Sequence, residues 1–146
     1  MRQLQELSGP WRGRWTQSAS PFVGATTGIE KVNIEFGASS LEGVGEDCDG
    51  AFLFRGVHDG TRVEFQKLYI AARWDVAESL TYQGIWNGEF IGGEWRDDND
   101  PEHENCGPFE LWSLKLEEKL SLQELEGIND NSATPVLVRE RESART

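Results

Sequence analysis

Between Gly43 and Tyr69 the chain spells out two strands and the turns that close them: GVGEDCDG, AFLFRG, VHDG, TRVEFQKLY. Asp49-Gly50 precedes the first strand and Asp59-Gly60 joins the two. Side chains in a strand alternate between faces, so Val63, Phe65 and Tyr69 share one face of the second strand, with Lys67 in register among them. The same grammar returns at Leu80, Tyr82 and Trp86, then Asn87-Gly88, then Ile91 and Trp95. Asn-Gly supplies the two positive-φ residues of a type I′ turn, the strongest short hairpin signal, and predicts that Ser79–Trp86 pairs with Glu89–Arg96.

The rest of the chain extends this pattern. Gly9–Thr16 reads as a first strand with Trp11, Gly13 and Trp15 on one face, and residues 17–28 as a long loop. Val32, Ile34 and Phe36 alternate with polar residues in a second strand. Residues 39–45 form a third, where Leu41 and Val44 differ in parity and the glycines mark a bulge. Residues 71–78 and 97–106 are loops, and Pro108–Leu114 is an eighth strand. Beyond Lys115 the pattern changes: Ser121-Leu122-Gln123-Glu124 matches a capping box and predicts a helix over 121–127. Val136-Leu137-Val138 reads as a docked strand, and Arg139 onward as a loose charged end.

With 16 Gly and 6 Trp against one Met in 146 residues, the composition fits a single all-β domain. Eight antiparallel strands with short connections predict an up-and-down barrel, which leaves no open edge. The expected organisation is a lead-in at 1–8, a β-barrel domain at 9–116 and a short C-terminal extension at 117–146. Connections alternate between the two ends of such a barrel. One end receives the tight turns at 37–38, 59–60 and 87–88. The other receives 17–28, 46–50, 71–78 and 97–106 and forms a mouth.

Gly9-x-Trp11, the glycine-punctuated hairpins and Ile91-Gly92-Gly93-Glu94-Trp95 resemble the calycin superfamily, and within it the avidin/streptavidin-type barrel. The resemblance spans roughly residues 9–116. It implies a ligand-holding barrel in which Trp95 matches the pocket Trp of the seventh strand. Avidin-like proteins carry a biotin-contacting Asn two residues after the first Trp, where this chain has Gly13. They also place an Asp near the start of the last strand, where this chain has Gly107, Pro108 and Phe109, with Glu110 the nearest acid. Without those polar partners the resemblance extends to the fold and not to tight biotin binding.

The interior is expected to hold Trp11, Trp15, Phe52, Phe54, Phe65, Tyr69, Tyr82, Trp86, Trp95 and Phe109. Two readings stay open: a pocket lined by aromatics, or a barrel core filled by them. Lys67, inward by parity, needs a carboxylate, because an unpaired buried charge is costly. Glu94 is the first choice, with Glu35 and Glu110 behind it. The candidate ligand-binding residues are therefore Trp11, Trp15, Phe52, Phe65, Lys67, Tyr69, Tyr82, Trp95, Glu94 and Phe109.

No Ser-His-Asp elbow or phosphate-binding glycine loop is present, so no catalytic residue and no cofactor is assigned. Asp98-x-Asp100-x-Glu102 begins like a calcium loop, but His103 and Phe109 stand at its sixth and twelfth positions, and no metal is assigned. His58 and His103 fall at opposite ends of the barrel. Cys48 and Cys106 share the mouth but lie three strand steps apart, about 12–14 Å, against the ~7 Å Cα separation a disulfide requires. Two unbridged thiols are expected.

A net charge of −12 argues against nucleic acid and anionic membrane as partners. No stretch approaches the ~20 apolar residues of a membrane span. MRQLQELSG has no secretory pattern, so the expected location is cytoplasmic. The expected function is non-catalytic binding of a small apolar or aromatic ligand through the mouth, with a homo-oligomer left open. Two alternatives remain: a protein–protein interaction domain with a filled core, and an enzyme using a pocket carboxylate.

Overall fold

The computed structural model describes residues 2–17, 26–72, 79–100 and 105–118. Eight strands run β1 Gly9–Gln17, β2 Thr26–Phe36, β3 Ser40–Asp47, β4 Gly50–His58, β5 Arg62–Ala72, β6 Ser79–Trp86, β7 Ile91–Asp97 and β8 Cys106–Ser113. Each pairs antiparallel with its neighbours in chain order, and β8 returns to β1, closing an up-and-down barrel. The all-β fold and its closure are those expected from the alternation.

Two strands differ from expectation. β2 begins at Thr26, six residues before Val32, inside the stretch expected to be a loop. Its first half hides from a hydropathy reading because Ile29 faces out, 54 % exposed, while Glu30 faces in. β3 pairs in continuous register on both sides, without the expected bulge. Leu41, Gly43 and Asp47 face inward, and Val44 is a 61 % exposed outer residue. The register shift lies instead between β4 and β5, at Ala51/Phe52.

The turns after His58 and Trp86 lie at one end, joined by a hydrogen bond from the Trp86 N–H to the Thr61 carbonyl (2.7 Å). The β6–β7 connection is four residues rather than the two of a type I′ turn, since Trp86 pairs with Ile91. The Asn87 side chain accepts from the N–H groups of Glu89 and Phe90. Asp59 does the same for Thr61 and Arg62. An Asx side chain that caps its own turn stabilises this longer loop. Those N–H groups, Arg62 first, hold the Asp59 carboxyl below its ordinary range.

The lead-in closes this end. A 3₁₀ turn, Leu4–Leu7, buries both leucines. The Trp11 indole N–H donates to the Leu7 carbonyl (2.8 Å), and that of Trp86 to the Arg2 carbonyl (2.9 Å). Above this plug a column of rings fills the middle of the barrel. Successive centroid separations are 4.9 Å for Phe52–Phe54, 4.4 Å for Phe54–Phe65, 5.0 Å for Phe65–Tyr82 and 4.7 Å for Tyr82–Phe109. Such contacts combine large apolar burial with favourable edge and offset geometry.

β8 passes directly into a helical turn over 114–118, whose Leu116 N–H is capped by the Ser113 hydroxyl. The helix expected over 121–127, the strand at Val136-Leu137-Val138 and His103 lie outside the described residues. At the mouth, β3 and β4 are joined by only Cys48 and Asp49, a tighter connection than expected there. No disulfide joins Cys48 to Cys106. Alkylation of the folded-then-denatured protein without reductant is expected to add two alkyl groups by mass; none added would show a bridge.

Candidate functional site

Beneath the mouth the interior turns from apolar to charged. Lys67 on β5 points inward and is 0 % exposed, as its parity with Val63 and Phe65 requires. Its ammonium forms ion pairs with Glu30 of β2 and Asp47 of β3. Two phenols complete the network: Tyr69 donates to Asp47 Oδ2 (2.7 Å) and Tyr82 to Glu30 Oε1 (3.1 Å). Asp47 Oδ1 accepts the Asp49 N–H (2.8 Å), which ties the cluster to the β3–β4 turn.

Aromatic faces surround the ammonium. Lys67 Nζ lies 4.4 Å from the Phe52 ring centroid, 5.1 Å from Tyr69, 5.8 Å from Trp15 and 5.9 Å from Tyr82. Such faces attract a cation. Trp15 meets Trp95 edge-on at 6.1 Å, and the Trp95 indole donates to the Thr16 carbonyl (3.1 Å).

Two buried polar atoms at this level have no hydrogen-bond partner among the described residues: Trp15 Nε1 and Glu30 Oε2. Glu30 pairs across the sheet with Gly13, and its Oε2 lies over that glycine. A Cβ at position 13 would stand 2.8 Å from Oε2 and 2.4 Å from Leu111 Cδ2. The missing side chain at Gly13 is thus what admits the Glu30 carboxylate.

Burial pushes the Glu30 carboxyl up. The Lys67 ammonium opposes this and the Asp47 carboxylate adds to it. Burial also raises both phenols, Tyr82 beside Glu30 and Tyr69 beside Asp47. A raised folded-state value means that the protonated form is favoured by folding. Glu30's contribution to stability is therefore full below the ordinary value of 4.5 and is lost as pH rises through the raised one. Stability of the wild type relative to Glu30→Gln, measured by urea unfolding between pH 4 and 8, is expected to fall with rising pH. Parallel curves for the two proteins would contradict this.

Of the ten expected lining residues, Trp15, Phe52, Lys67, Tyr69, Tyr82 and Trp95 lie in or around this cluster. Phe65 and Phe109 belong to the ring column. Trp11 is inward but sits against the closing 3₁₀ turn, next to Phe36 and Trp86. Glu94 is a correction: it is exposed on the outer face. Trp95 and Glu94 are adjacent in a strand, so an inward Trp95 turns Glu94 outward. Glu35 is exposed as well, and Glu110 pairs on the surface with Arg14 (3.2 Å). Glu30 and Asp47 are the acids that sequence reasoning missed. Both carried a signal: Glu30 shares parity with Val32, Ile34 and Phe36, and Asp47 with Leu41.

Asp47, Cys48 and Asp49 bring three metal-ligand atoms within 4.8 Å of one another. Both Asp47 oxygens already accept hydrogen bonds, so the turn supports no metal assignment. A separate groove of about 610 Å³ lies on the outer wall near the closed end, among Val57, Arg62, Glu64, Ile85 and Glu94. Among the described residues no helix is long and apolar enough to cross a membrane. No protein-family model, curated protein or solved structure compared with the chain matches it.

Proposed function

We propose that this calycin-like barrel is a non-catalytic binding module that takes a small molecule through its mouth, with an aromatic or apolar body lodged between Trp15, Trp95, Phe52 and Tyr69. The observation that carries this reading is the pair of buried polar atoms, Trp15 Nε1 and Glu30 Oε2, that have no partner among the described residues, toward the mouth end of the barrel. A buried polar group without a partner costs about 1–3 kcal/mol, and a bound molecule that supplied partners would recover part of it. The plugged opposite end restricts access to the mouth.

The likeness to avidin-type barrels supports the architecture of such a site but not its ligand. Glu30 and Leu111 occupy the space beside Gly13. Titration with biotin is expected to show no nanomolar complex; a nanomolar complex would overturn the reading of Gly13.

The ring column favours a second reading, an interaction domain whose core is filled and whose partner binds outside. Val57 and Ile85, 58 % and 49 % exposed, flank the outer groove. Native mass spectrometry of the protein purified from its own host separates the two and reads the oligomeric state. A small molecule released on denaturation supports the mouth site. The bare chain together with a stoichiometric protein partner supports the outer face.

A further inference from the structure

We propose that the molecule this mouth takes is a small organic cation, an amine on an aromatic or apolar body, whose N–H groups meet Glu30 Oε2. The proposal rests on the reading of the mouth as a ligand site.

Charge is the first reason. The buried charged side chains at this level are Glu30, Asp47 and Lys67, beside the Tyr82 phenol; the buried His58 sits at the closed end. Two carboxylates face one ammonium, so the ionised cluster carries an excess negative charge in a poorly solvated interior. A buried charge is tolerated when a counter-charge joins it, and a bound cation is that counter-charge.

Hydrogen-bond inventory is the second. The ammonium and both phenols donate to Glu30 Oε1 and Asp47 Oδ2, and the Asp49 N–H to Asp47 Oδ1. Oε2 is left as a carboxylate oxygen without a donor. An anionic ligand would bring a further negative charge beside two carboxylates, and among the described residues the buried side-chain donor atom left without any partner is Trp15 Nε1. An ammonium brings the donors that Oε2 lacks.

The walls and the approach agree. The faces of Phe52, Tyr69, Trp15 and Tyr82 already hold one cation, and ring faces discriminate against anions. Asp49 in the β3–β4 turn, Asp97 at the end of β7 and Asp98 and Asp100 just beyond it lie at the mouth end, and the chain's net charge is −12. A rim of one sign raises the local concentration of the opposite ion.

The groups that face Glu30 are Lys67 and Tyr69 from β5, Asp47 from β3 and Tyr82 from β6; β1 and β8 contribute Gly13 and Leu111. Burial favours the neutral carboxyl of Glu30 and a cation alongside favours the carboxylate. Amine binding is therefore expected to tighten as pH rises through the Glu30 titration.

Three probes of one shape test the class: phenethylamine, neutral 2-phenylethanol and anionic 3-phenylpropionate. The readout is the Trp15 indole N–H resonance of the full chain at pH 7, assigned with Trp15→Phe. The amine is expected to bind at least about tenfold tighter than either companion, and to lose about tenfold in Glu30→Gln. Equal or tighter binding of the alcohol or the carboxylate would overturn the cation class and leave the mouth site standing. An amine that binds Glu30→Gln as well as wild type would also overturn it. If no probe moves the Trp15 resonance at millimolar concentration, the mouth site itself falls. Should Glu30→Gln fail to fold, the three-probe comparison on the wild type decides alone.

Discussion

Lys67→Met is expected to destabilise the barrel by about 3–5 kcal/mol at neutral pH, the range for removing one partner of a buried ion pair. Methionine matches the aliphatic stem of lysine, so packing against Phe52 and Tyr69 is largely kept. What is lost is the ammonium that Glu30 and Asp47 share. Both carboxylates then remain in the interior with only the Tyr82 and Tyr69 hydroxyls and the Asp49 N–H as donors. Lowering the pH lets Glu30, whose carboxyl burial pushes up, take up a proton, so the loss is expected to shrink toward pH 4. Combining Lys67→Met with Glu30→Gln and Asp47→Asn removes all three charges and should recover much of the stability, because the desolvation cost of the ions goes with them. Urea unfolding of the single and triple variants is the measurement. A loss below about 0.5 kcal/mol for Lys67→Met, the surface range, would contradict a buried lysine.

Gly93→Ala is expected to be comparably severe, at about 3 kcal/mol, the upper part of the overpacking range. Gly93 on β7 pairs directly with Gly84 on β6. A Cβ at position 93 would stand 1.9 Å from the Gln83 carbonyl oxygen and 2.6 Å from Gly84 Cα. These are backbone atoms of the neighbouring strand and cannot rotate away, so the β6–β7 ladder has to part. Gly60→Ala is the control. Gly60 has a positive φ of +94° but nothing within 4 Å of its added Cβ, so only backbone strain of about 1–2 kcal/mol is expected. Thermal and urea unfolding should rank Gly93→Ala well below Gly60→Ala in stability; the reverse order would mean that β6 and β7 are not so closely apposed.

Much of this molecule was legible one strand at a time. Alternation placed Trp11 and Trp15, Phe52 and Phe54, Val63, Phe65 and Lys67, and Tyr82 and Trp86 on inward faces, and the Asp-Gly and Asn-Gly punctuation placed their turns at one end. Eight such strands leave few arrangements without an unpaired edge, and closure follows. The turn lengths were not legible, because the side chains of Asp59 and Asn87 take backbone N–H groups that a two-residue turn would not offer.

The partners of Lys67 were decided by the tertiary structure. A strand's period of two tells which face a residue occupies but not its height in the barrel or which side chain it meets across the interior. Glu94 lay in a stretch that resembled a pocket strand, yet its own parity sends it outward. Glu30 and Asp47 reach Lys67 from strands 37 and 20 positions away in sequence. They do so because closing the sheet turns β2, β3 and β5 toward one another, and because Gly13 leaves the Glu30 carboxylate a space that any side chain would fill. Parity along the chain determined that a charge would be buried; the curvature of the closed sheet determined which two acids would meet it.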